Sequence, residues 1–208
     1  MTGIRLFALS RSPIKLLGVI TLLSIMTWLT ARAGITLDFE FPNKLRQVPF
    51  LELVPVLGGC LIAALLRPRF YEWERLGERR SIVASTATVL IGIAVPVIPV
   101  LVGVLRLPRE ATWTYIPANV VLVTAIAFTL SALVGPAIGP PLAALAFVAT
   151  CLLQNLEPAL AGAIPLAKPP ESEGPWIAAI TATLIALAVH IHTAGASTLA
   201  RRLNQNEE

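Results

Sequence analysis

Charge is what this chain has least of. Only 13% of its 208 residues are Asp, Glu, Lys or Arg, against about 25% in a soluble domain. With 56% hydrophobic residues and a mean hydropathy of +0.77, the chain cannot hide its apolar surface in one water-facing globule. It reads as an integral membrane protein. Asp38 is the only aspartate, which excludes any site built on two. None of the three lysines, Lys15, Lys44 and Lys168, follows a glycine. The phosphate-cradling G-x-x-x-x-G-K-[ST] loop is therefore absent, and with it ATP hydrolysis by that route. C-x-x-C, H-E-x-x-H and G-x-S-x-G are missing too. Cys60 and Cys151 both fall inside apolar runs, with neither metal-type spacing nor a disulfide framework. No catalytic constellation, metal site or cofactor of the chain's own is expected. The net charge of +4 is not a nucleic-acid footprint, because basic residues in such chains gather on cytoplasmic loops.

What is abundant is long apolar sequence. A hydrocarbon core about 30 Å thick takes about 20 helical residues to cross. The pattern predicts an all-α polytopic fold, a single transmembrane domain of six spans near 14–31, 50–66, 81–105, 113–134, 141–156 and 176–197. The first run also fits a cleaved signal peptide, with Ala31-Arg32-Ala33 as the cleavage site; retention as a first helix is the preferred reading. The T-L-D-F-E-F alternation over residues 36–41 suits a short amphipathic piece on the outer surface. Residues 111–156 carry no charge, too many for one span and enough for two. The breaker cluster Gly135-Pro136-Ala137-Ile138-Gly139-Pro140-Pro141 divides them. Trp113 and Trp176 each open a span, where indole rings favour the interface.

Orientation follows from the basic residues. With both termini cytoplasmic, inner segments hold ten of them and outer loops six, the sense that resists translocation. The last span carries His190 and His192, about 200° apart on a helix, so they cannot share a metal. His190 continues a stripe of Ala178, Ala182, Ala186 and Ala194, which reads as a helix-packing face. Pro96 and Pro99 interrupt the third span. Each removes a backbone donor, which frees the carbonyls of Gly92 and Val95. That marks either a kinked helix beside a pathway or a kink absorbed by packing. Glu52 is expected near the outer end of the second span, where an acid is tolerable. Asn119, Gln154 and Asn155 complete the polar intramembrane candidates.

One stretch concentrates the charge. Residues 67–80 read R-P-R-F-Y-E-W-E-R-L-G-E-R-R and hold five of the sixteen Lys and Arg residues. They form an ordinary positive-inside loop, an amphipathic helix on the membrane, or a docking helix for a cytoplasmic protein. Glutamates interleaved with arginines suit a protein groove carrying both signs.

Six spans, both ends inside, a charged segment between spans two and three, and an apolar outer excursion before span six resemble the permease subunits of ABC-2-type ABC transporters. The resemblance is one of layout across the whole chain. It implies that residues 72–80, with Glu72, Trp73, Glu74, Arg75, Glu78, Arg79 and Arg80, form a coupling element seated on a separate ATP-binding subunit. ATP and magnesium would lie in that partner. It also implies pairing with a second permease chain, a homodimer or a sibling. Residues 158–166 would be the outer excursion. The expected function is movement of an amphipathic or lipid-like substrate across the plasma membrane, as export, since the pathway walls carry almost no fixed charge. The competing readings are a six-helix capture module of the vitamin-uptake type, with Asn119, Gln154 and Asn155 as ligand contacts, and an accessory subunit with no pathway.

Overall fold

The structure, a computed structural model, describes residues 13–36, 47–66, 78–156, 164–166, 175–193, 196–197 and 200. Helix α1 (Pro13–Thr30) leads to strand β1 (Gly34–Thr36), and β2 (Gln47–Pro49) leads straight into α2 (Phe50–Leu65). Then come α3 (Glu78–Ala94), α4 (Val97–Val104), α5 (Tyr115–Val134), α6 (Gly139–Leu156) and α7 (Pro175–Thr193). The strands pair antiparallel with Ile35 opposite Val48. The amphipathic piece expected over residues 36–41 lies, beyond Thr36, outside the described residues. The Phe50 N–H donates to Ala33 O at 3.1 Å, which sets the end of α1 beside the start of α2.

Helix α5 is the axis. It is apolar all round, and Ala118, Val120, Thr124, Ala125, Ala127 and Ala132 have no exposed surface. A helix of that kind belongs inside a bundle. It packs on α7, α2 and α6, while α1 packs on α4 and α2. The outer surface is greasy. Ile14, Leu17, Leu22 and Leu29 on α1, and Ile177, Ile180 and Leu184 on α7, are all exposed. Such a surface calls for hydrocarbon or another apolar partner. Among the described residues three helical stretches are long and apolar enough to cross a membrane: Thr86–Val104, Tyr115–Val134 and Trp176–Thr193. Ile14–Thr30, Phe50–Leu65 and Gly139–Gln154 are apolar but shorter.

The expected third span is two helices, not one. Val95 and Pro96 form the break, and Pro96 caps α4 with φ −63° and ψ −13°. Pro99 then sits in the first turn of α4, where a missing N–H costs nothing. Val95 O is not freed: it accepts from the Ile98 N–H at 3.0 Å. The last helix also ends earlier than expected, at Thr193. At the breaker cluster α5 stops on Gly135, whose φ of 102° suits only glycine well. A Cβ on Gly139 would strike the backbone of Leu130 and Ser131, so the chain re-enters the bundle there only through glycine. Pro140 and Pro141 follow in the first turn of α6, as prolines can.

Glycines also set how near the helices come. A Cβ on Gly59 of α2 would overlap the Thr124 hydroxyl of α5, and one on Gly58 would meet Leu23 of α1. Gly59→Val should therefore lower the unfolding free energy in detergent by about 1–3 kcal/mol. Adding Thr124→Ala should recover part of that loss in a thermal or denaturant melt, because it removes the group that is struck.

Candidate functional site

The buried polar side chains converge most closely where α2 meets α5. Glu52 is the third residue of α2 and Asn119 the fifth of α5. Both are completely buried, and Asn119 Nδ2 donates to Glu52 Oε1 at 2.8 Å. Further along, Gly59 of α2 meets Thr124 of α5, so the two helices run in the same direction through this contact. The first turn of a helix offers unsatisfied N–H groups and the positive end of its dipole, which is why an acid is at home at position 52. Burial works the other way: a carboxylate away from water is costly unless hydrogen bonds take over its hydration. The expected place for Glu52 was the interface. The structure puts it near that end but inside the protein, because Asn119 supplies a donor there. Val48 from β2 and Leu51 are buried in the same apolar cluster.

The remaining polar candidates lie apart. Gln154 near the end of α6 donates from Nε2 to Leu166 O at 2.8 Å, tying that helix to the following segment. Asn155 lies in α6, and its side chain is outside the described residues. His190 is buried on α7, its Nδ1 3.0 Å from Ala186 O. That spacing lets the ring N–H donate to the carbonyl one turn back. The ring lies 5.9 Å from Phe128 at 58°, a tilted aromatic contact. His192 is exposed. On α7, Ala179, Ala186 and His190 are buried and Ala178, Ala182 and Thr183 half-buried, with Ala178 and Ala182 packed against the apolar core. The alanine stripe read from the sequence faces the bundle through Ala178, Ala182, Ala186 and His190, with Ala179 buried beside it, and Ala194 is outside the described residues. Among the described residues no group of three His, Cys, Asp or Glu side chains is placed to hold a metal.

Of the proposed coupling element, Glu72, Trp73, Glu74 and Arg75 lie outside the described residues. Glu78, Arg79 and Arg80 form the first turn of α3, with side chains outside the description. The two arms either side of Pro96 differ in their main neighbour: α3 packs mostly on α7 and α4 mostly on α1, while both also touch α2 and α5. Beyond α4, Arg106 donates from Nη1 to Trp28 O at 2.8 Å and Leu29 O at 3.3 Å. Its guanidinium also stands 5.9 Å from the Trp28 ring, within cation–π range. Arg32 Nε returns a bond to Arg106 O at 3.2 Å. Sequence reasoning treated Arg106 as a loop charge. Nothing in the local sequence points at α1, 77 or 78 positions away in these bonds. Ser197 does the same for α5: its N–H and Oγ donate to Ala132 O and Leu133 O, at 2.8 and 2.5 Å.

Compared with known proteins, the chain matches no family model, no curated protein and no solved structure.

Asn119→Leu should destabilise by about 1–3 kcal/mol, because it takes a donor from a buried carboxyl. Glu52→Gln should cost less, since its amide oxygen can still accept from Asn119. Arg106→Ala should cost about 1–2 kcal/mol by uncapping α1. Denaturant melts of the three variants in one detergent give the ranking.

Proposed function

We propose that the chain is a multi-pass protein of the plasma membrane with six crossings and cytoplasmic termini. In that setting it is the permease subunit of an ABC-type transporter, driven by a separate ATP-binding subunit docked on residues 67–80. The observation that carries this reading is the divided helix. The charged stretch runs directly into α3. Past the break at Pro96 the chain continues as α4, which is fastened to α1 by packing and by Arg106. A force on the charged stretch therefore enters one arm, α3, whose far neighbour is held. The break between them is where φ and ψ can absorb the motion, as hinge positions do. The shorter apolar helices cross with the others where the bilayer thins or flanking residues reach to the interface.

Pairing with a second permease chain fits the exposed apolar faces, the remainder of which meets lipid. The expected direction is export, and the expected substrate is amphipathic or lipid-like, for the described interior offers hydroxyls, amides and one buried carboxyl rather than rows of charge. Asn119 and Gln154 both donate to partners within the chain, which favours the permease over the capture module. ATP and magnesium belong to the partner, and nucleic acid has no part in the scheme.

The chain, extracted with its native partners in mild detergent, should bring down an ATP-hydrolysing subunit. The double charge reversal Glu74→Lys with Arg75→Glu should release that subunit while leaving yield and melting temperature unchanged. Purification that never recovers an ATPase, or a reversal that leaves the complex intact, refutes the reading. A hinge at Pro96 further predicts that Pro96→Ala straightens the break and slows substrate-coupled ATP hydrolysis several-fold without dissociating the complex.

A further inference from the structure

The transport scheme leaves Glu52 without a task. Among the described side chains it is the only buried acid. An ionisable residue within a membrane-crossing segment marks an ion or proton route far more often than it serves as packing. We infer that Glu52 is a proton-binding site, loaded and unloaded from the hairpin end of the bundle, and that Asn119 follows its protonation. The inference rests on the membrane-crossing part of the reading above and not on the permease assignment.

Position is the first argument. Glu52 lies in the first turn of α2, directly after β2. The Ala33–Phe50 bond holds that turn at the end of the bundle. A proton arriving from the aqueous side has about one helical turn to travel, not half a membrane. The second argument is the partner's chemistry. A side-chain amide is both donor and acceptor. Asn119 Nδ2 donates to the carboxylate, as in the 2.8 Å bond. After protonation the acid's O–H can donate to the same amide's oxygen once the amide turns over. The pair therefore stays bonded in both states, whereas a guanidinium partner favours only the charged one.

The third argument is the balance of surroundings. Burial opposes the charge, and the start of α2 favours it. The described ionisable groups on the elements packed against α2 are few. Lys15 stands at the opposite end of α1 and Arg32 is exposed beyond it. Arg106, after α4, is engaged with Trp28 and Leu29 carbonyls. Tyr115, one turn before Asn119, and Cys151 on α6 are buried. Glu78, Arg79 and Arg80 open α3, and Cys60 lies further along α2 itself. Opposed influences of this kind are what a group needs if it is to change state.

The test uses the full chain in lipid nanodiscs and dicyclohexylcarbodiimide, which modifies protonated carboxyls in apolar surroundings, with adducts mapped by mass spectrometry. The expected result is an adduct on Glu52 whose yield rises several-fold from alkaline to acidic buffer and vanishes in E52Q. N119L, which takes away the partner of both the charged and the protonated form, should change the pH dependence of labelling. No adduct at any pH, or a yield that ignores pH, overturns the inference. So does an adduct suppressed by sodium or potassium at constant pH, which would make the ligand a metal cation. If E52Q does not fold, the wild-type pH curve and its change in N119L decide the matter. Labelling that behaves as expected in a chain that never binds an ATPase would sink the permease reading and leave this one standing.

Discussion

The hydrogen bond from Asn119 to Glu52 states the constraint under which the whole bundle is built. Inside a packed apolar interior a polar group has no water to fall back on, so each one must be met by protein. On the exposed and half-buried faces, threonines show a local solution. Thr21, Thr30, Thr129, Thr150, Thr183 and Thr193 each donate to the carbonyl four residues earlier. Thr27 and Thr124 are fully buried and their hydroxyls have no hydrogen-bond partner. Both stand where a glycine on another helix makes room, Gly103 and Gly59. Close helix approach is favoured at these two points over a satisfied hydroxyl.

Helix ends meet the same constraint by reaching across the chain. The last carbonyls of a helix lack intrahelical donors. Those of α1 are served by Arg106, and those of α5 by Ser197. In both cases the donor lies just past the end of a helix that packs on the one it caps. Packing and capping therefore reinforce each other: if α4 left α1, the cap would leave with it. The Pro96 break is the point where this reinforcement stops. Val95 O finds a donor in a tighter turn, so the interruption leaves that carbonyl satisfied and the two arms free to differ in direction.

The chain also alternates in direction in a way that gives the bundle two distinct ends. The hairpin, Glu52, Arg106, Asn119, Gln154 and the start of α7 gather at one. The Gly135–Gly139 turn, His190 and Ser197 gather at the other, where α3 begins. The functional proposals use this polarity: the partner-driven element acts at the α3 end and the proton site opens at the hairpin end. Between them the interface of α2 with α5 runs the depth of the bundle, so a change at Glu52 and a motion of α3 would both be felt by α5.

Much of the element order was legible from residues alone, because apolar run length, breakers and charge act locally. Residues 135–141 had to turn, since glycine and proline restrict or release the backbone wherever they occur. The helix starts near 14, 50, 115 and 175 follow from where polar sequence gives way to apolar, and the one near 139 from the glycine–proline cluster. Other features were not legible. The full burial of Ala179 beside the alanine stripe of α7 had no signal, because a largely apolar helix gives hydropathy little to prefer one side by. The burial of Glu52 within the protein was not legible, because it depends on Asn119, which is far away in sequence, and on a strand pairing that no residue motif announces. Pro96 and Pro99 looked equivalent, yet one breaks the helix and the other fits the first turn of the next. By itself the sequence determined that the chain is helical and apolar enough to need a lipid-like environment, since composition and backbone restriction are properties of residues taken singly. Only the tertiary structure decided which acid is buried, which amide meets it and which arginine closes which helix, because each of those is a meeting of two groups brought together by the fold.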